Sequence, residues 1–143
     1  MAAAVGACFN HLARESSDVD RLAHFYQEIF GLERIEGQNF GFKVIWLRQS
    51  PSFNLHLIER DSQTKLPEGP WSAKDDSLAD PSKLFRGHHL CFDVAKDNFD
   101  SFVQTLKEKG IETDERMQPN GKTKQVFFFD PDGNGLEVSS RDS

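Results

Sequence analysis

Asp130-Pro131-Asp132-Gly133-Asn134-Gly135-Leu136-Glu137-Val138-Ser139 is the stretch from which the rest of the chain can be read. Asp-Pro-Asp-Gly-Asn is a turn, because proline presets one backbone angle, glycine tolerates the left-handed region, and Asp and Asn bond locally to the backbone. Beyond the turn the residues alternate with period two, the mark of a strand from Gly135 to Ser139. Leu136 and Val138 lie on one side, with Gly135, Glu137 and Ser139 on the other. The same arrangement occurs 81 residues earlier in Phe53-Asn54-Leu55-His56-Leu57, with His56 where Glu137 stands.

The correspondence extends over both halves of the chain. Asn10-His11-Leu12 recurs as His88-His89-Leu90, 78 residues on, and Gly31-Leu32 recurs as Gly110-Ile111, 79 residues on. A repeated unit places equivalent residues at equivalent positions of two similar modules. His11, His56, His89 and Glu137 are therefore the candidate metal ligands. All four lie opposite the apolar residues of their strands, on the face away from the helices.

Each half opens with an apolar strand, expected at 8–13 and 88–94. A helix comes next, carrying Val19, Leu22, Ala23, Tyr26, Ile29 and Phe30 in the first half and Phe99, Phe102, Val103 and Leu106 in the second, all at helical spacing. Ser17 or Asp18, and Asp97, are the expected N-caps. Gly31 and Gly110 are the expected stops. Three strands complete each half, at 32–36, 41–47 and 53–59 and then at 111–117, 124–129 and 135–139. Between the halves, 61–86 holds Pro67, Pro70 and Pro81 among polar residues and reads as a linker or lid, with Trp71 and Phe85 available to cover something. By alternation His88 falls on the helix-packed face, as a partly buried structural histidine. One of Phe127, Phe128 and Phe129 must face the ligand side.

Composition narrows the function. At 143 residues with a net charge of −6 and no basic run, the chain is unsuited to nucleic acid, and no stretch has the roughly 20 apolar residues of a membrane span. Two cysteines, Cys8 and Cys91, are too few for a disulfide framework. The start lacks a basic region and a long apolar core, so a cytoplasmic protein is expected.

Asn10-His11-Leu12, Phe25-Tyr26 before Gly31-Leu32, His89-Leu90-Cys91-Phe92-Asp93-Val94 and above all Phe129 to Val138 together resemble the vicinal oxygen chelate superfamily. Its members include glyoxalase I, methylmalonyl-CoA epimerase, fosfomycin-modifying thiol transferases and ring-cleaving dioxygenases. The resemblance implies an α+β fold over 8–140, in which two β-α-β-β-β modules, 8–60 and 87–140, form an incomplete barrel. It also implies one divalent metal ion (Zn, Ni, Co, Fe or Mn) held by His11, His56, His89 and Glu137, with Glu137 as catalytic base. The implied activity is that of a metal-dependent lyase or isomerase similar to glyoxalase I, acting on a small oxygenated substrate such as a hemithioacetal.

A homodimer that pairs modules across chains is implied as well. The alternatives are a non-haem iron dioxygenase using His11, His89 and Glu137, and a non-catalytic small-molecule binding protein. In glyoxalase I an arginine and an asparagine hold glutathione where this chain has Glu15 and Arg60. No cluster of basic residues marks an anion site, so cations for the substrate are sought singly, in Arg60, Lys122 and Lys124.

Overall fold

The structure is a computed structural model and describes residues 3–49, 51, 53–63 and 80–142. It divides into two compact units, Met1–Gly69 and Pro70–Ser143, and the division falls inside the proline-containing 61–86 stretch. The first unit runs β1 (Leu12–Ser16), α1 (Val19–Phe30), β2 (Glu33–Ile35), β3 (Val44–Gln49) and β4 (Phe53–Glu59). The second begins with a short 3₁₀ helix, Pro81–Arg86, and continues with β5 (Leu90–Ala95), α2 (Lys96–Glu108), β6 (Asp114–Met117), β7 (Lys124–Phe129) and β8 (Gly135–Arg141). Each unit is thus a β-α-β-β-β module, with sheet order β1-β4-β3-β2 in one and β5-β8-β7-β6 in the other. The class is α+β and neither sheet closes on itself.

Helix α1 starts where Asp18 accepts from the backbone N of Arg21 at 3.0 Å and stops at Gly31, left-handed at φ 67°. Val19, Leu22, Ala23 and Tyr26, spaced along one stripe, are its buried residues. They face Ile45, Leu47, Leu55 and Leu57, which are fully buried or nearly so and lie opposite one another across β3 and β4. The second unit repeats the plan: Phe99, Val103 and Leu106 of α2 are buried, as are Val126, Phe128, Leu136 and Val138 of β7 and β8. Burying one such side chain contributes about 1.5–3 kcal/mol.

Three expectations are corrected. Strands β1 and β5 begin later than expected, because the parallel ladders start where Leu12 meets Leu55 and Leu90 meets Leu136. Residues ahead of those pairs have no partner strand, so His88 is exposed rather than turned to the helix. Helix α2 has Ala95 at its N-cap position with no side-chain cap bond, and Asp97 lies in the first turn, where it faces the positive end of the helix. The Pro81–Arg86 helix packs on its own unit through buried Pro81 and Leu84. The expected cover Trp71 lies outside the described residues. Among the described residues no helix is long and apolar enough to cross a membrane.

Candidate metal centre

His56 sits in the middle of β4 between Leu55 and Leu57, and because those two are fully buried against the helix its ring is on the opposite face. Trp46, its partner across β3, stacks on one side at 4.6 Å between ring centroids and 8° between planes. His11 stacks on the other at 4.0 Å and 15°. Nδ1 of His11 is 2.7 Å from Oδ1 of Asn10. An amide oxygen only accepts, so Nδ1 is the donor in that contact. Burial first, and then the neighbouring His11, hold the pKa of His56 below the ordinary histidine value. A cavity of about 530 Å³ opens beside the two rings, lined also by Ile35, Phe40, Phe42, Val44 and Ile58, with no Lys or Arg among the described residues of its wall.

In the second unit Glu137 lies in register with Cys91 on β5 and Phe127 on β7, so all three share the face away from α2. His89 precedes β5 and donates from Nδ1 to the carbonyl of Gly87 at 2.9 Å. That bond fixes the tautomer and turns Nε2 toward Oε1 of Glu137, 3.0 Å away. Phe127 meets the His89 ring edge-on at 5.4 Å and is the one of the three consecutive phenylalanines seen against this pair. Glycine is required at position 135, where an added Cβ would stand 2.5 Å from the His88 carbonyl oxygen and 2.4 Å from Leu84 Cδ2. This close approach holds the His88-His89 segment against the start of β8.

These residues fit a divalent cation. An acceptor lone pair on Nε2 and a carboxylate oxygen repel one another at 3.0 Å unless a proton or a cation lies between them. Two ligand atoms each about 2.1 Å from one ion, at right angles, stand about 3 Å apart. Imidazole nitrogen with carboxylate oxygen is also the donor set of borderline ions. Within each unit the ligand candidates form a pair, and among the described residues no three His, Cys, Asp or Glu side chains cluster as a metal site.

The three cations differ in placement. Arg60 continues the β1–β4 ladder, donating its backbone N–H to Ser16 O at 3.0 Å, and alternation puts it on the His56 side; its Nε is buried without a hydrogen-bond partner among the described residues, as is Oε1 of Glu15. Lys122 is exposed in the turn between β6 and β7. Lys124, expected at the substrate, instead reaches the opposite face, where Nζ is 3.0 Å from Oδ1 of Asp100 on α2. Three residues at the site were not anticipated as parts of it. Trp46 stacks on His56, and Gln125 and Ser139 donate to Oε2 of Glu137 at 3.1 and 2.5 Å. Ser139 was visible on the Glu137 face by alternation. Gln125 was marked only as the one amide ahead of an apolar run, and Trp46 needed the antiparallel register.

Comparison with known proteins agrees with this architecture. Residues 9–138 match the model of the Glyoxalase/Bleomycin resistance protein/Dioxygenase superfamily. The chain belongs to that superfamily. It is 26% identical to a lactoylglutathione lyase of Schizosaccharomyces pombe over 152 residues, covering 92% of this chain but 47% of the lyase. Thus it spans about half the length of that relative. It is 24% identical to the metallothiol transferase FosB of Lysinibacillus sphaericus, with 90% of this chain and 78% of the other covered. The fold is also that of the fosfomycin resistance protein FosX of Listeria monocytogenes, in a crystal structure with Mn(II) and sulfate, at a TM-score of 0.65, 18% identity, and 94% and 90% coverage.

Proposed function

We propose that this protein is a divalent-metal-dependent lyase or isomerase of the glyoxalase I kind, in which His11, His56, His89 and Glu137 serve one cation. The observation that carries the reading is the 3.0 Å approach of His89 Nε2 to Glu137 Oε1, an imidazole nitrogen and a buried carboxylate oxygen that a cation can bridge. The lactoylglutathione lyase similarity and the Mn(II) of the FosX structure support it. A divalent ion bound there would polarise two neighbouring oxygens of a substrate and make a proton on the adjoining carbon more acidic.

The chain's own residues then have distinct tasks. Glu137 takes the proton from one carbon and returns it to the next, as its carboxylate stands next to the cation position. The stacked imidazoles of His11 and His56, with Trp46 closing the stack, are the first unit's ligands. The apolar cavity beside them receives the uncharged part of the substrate, since its wall offers no cation to offset a buried anion. Any anionic part falls to Arg60 and Lys122. The reading includes a homodimer in which His11 and His56 of one copy meet His89 and Glu137 of the other, working in the cytoplasm, which two free thiols suit.

A second reading rests on the stack itself. With Trp46 on one face and His11 on the other, His56 can be a fixed structural ring, leaving His11, His89 and Glu137 as the two-histidine, one-carboxylate set of an iron dioxygenase. Bound metal measured on the parent chain, His56→Ala and Glu137→Gln separates the two. Stoichiometric metal lost in both variants supports the four-ligand lyase; loss in Glu137→Gln alone supports the dioxygenase. A parent chain that takes up no metal from any supplemented buffer leaves a binding protein. Isomerisation of the methylglyoxal–glutathione adduct by the metal-loaded chain tests the reaction.

A further inference from the structure

The Glu137 carboxylate is held unequally. Only 6% of the residue is exposed, so both oxygens have lost most of their water and need donors from the protein. Oε2 has two: the Gln125 amide at 3.1 Å and the Ser139 hydroxyl at 2.5 Å. Oε1 faces His89 Nε2, whose ring is oriented by the Nδ1 bond to the Gly87 carbonyl, and the Cys91 thiol is a further hydrogen-bonding neighbour of the carboxylate. The two Oε2 donors face each other across the sheet, since Gln125 and Ser139 are register partners on the same ladder as Phe127 and Glu137. Their placement is therefore a property of the β7–β8 ladder. Gln125 is itself 7% exposed, and Ser139 is backed by the Cys91 thiol, whose Sγ is 3.4 Å from Oγ.

We propose that Gln125 and Ser139 are positioning residues that grip one oxygen of Glu137, so that the other is presented together with His89 Nε2 as a preformed two-donor seat for a divalent cation. This rests on the metal-dependent reading above. A carboxylate gripped by Oε2 cannot rotate to chelate through both oxygens without breaking two hydrogen bonds, so it offers one oxygen in a fixed direction. The Gly87 carbonyl does the same for the imidazole from the other side. Both ligand atoms are thus oriented by neutral partners before any ion arrives, and orientation ahead of binding removes part of the entropic cost of capture. The grip also makes Oε1 the oxygen that must exchange between cation and proton if Glu137 acts as base.

The test is a Co(II) titration of the whole chain, followed by the visible absorption of the bound ion and by equilibrium dialysis. Ser139→Ala and Gln125→Met each remove one donor to Oε2 while leaving all four candidate ligands in place. Each is expected to weaken Co(II) binding about 10–100-fold, the effect typical of removing a residue that orients a ligand. Ser139→Thr keeps the hydroxyl and is expected to stay within about threefold of the parent. Far-UV circular dichroism of the metal-free chains checks folding, and should Gln125→Met not fold, Gln125→Asn, which keeps the amide but shortens its reach, is read in its place. If the parent binds Co(II), Glu137→Gln abolishes binding, and Ser139→Ala and the Gln125 variant stay within about twofold of the parent, well below the orienting effect, the positioning role is overturned while the metal reading stands. If the parent itself binds no Co(II), the metal reading fails and this proposal with it.

Discussion

Glu137 and His56 occupy corresponding places in the two modules, yet their surroundings differ. Glu137 is buried among hydrogen-bonding neighbours, Gln125, Ser139, His89 and Cys91, so Glu137→Gln leaves the shape but removes the charge. Its metal affinity is expected to fall by more than the roughly 10–100-fold of an orienting residue, read by dialysis against Zn(II) or Co(II). His56 is flanked by rings, with its pKa lowered by burial first and His11 second. Its imidazole resonance in an NMR titration is expected to move below the ordinary value near 6.5, and His11→Ala is expected to raise it only part of the way, because burial remains. The unfolded chain then binds the proton more readily than the folded one, so His56 removes stability as pH falls from about 6.5 toward its folded pKa. Urea unfolding at pH 7 and pH 5 should show that loss, reduced in His56→Gln.

The elements place these residues through two periodicities that can be read in the chain. Strands β4, β7 and the start of β8 fall where alternation put them, because Leu55, Leu57, Leu136 and Val138 must all meet a helix. Leu55→Ala is expected to cost about 2–5 kcal/mol by opening a void in that layer, measured by denaturant unfolding. Boundaries set by pairing were less legible. Nothing in Asn10-His11-Leu12 says that the ladder begins at Leu12; the partner Leu55 decides it. Likewise α2 starts at Lys96 behind an N-cap, Ala95, that has no capping side chain, since the strand ahead of it runs on to Ala95. The Gly135 contact belongs to this scale too. Gly135→Ala forces Leu84 or the His88 carbonyl aside and is expected to destabilise by about 1–3 kcal/mol, with weaker metal binding because His89 moves with that segment.

For the whole molecule, each unit offers two of the four candidate ligands, and the proposed centre needs both pairs. Sedimentation is expected to give twice the 16.3 kDa chain mass, with one metal for each chain. A monomer that still binds one ion per chain would remove the cross-chain pairing but keep the ligand set. Repeat spacing and alternation are properties of a single segment, so they sufficed for the doubled β-α-β-β-β plan, the apolar faces, and the side of each strand on which His56 and Glu137 lie. The folded chain was needed to reveal that Gln125 and Ser139 hold Glu137, that Trp46 backs His56, and that Lys124 turns to Asp100 instead of the site. Those contacts depend on which residue of one strand stands opposite which residue of the next, or which strand residue meets the helix. That register is fixed by the packing of whole sheets and not by any stretch of chain read alone.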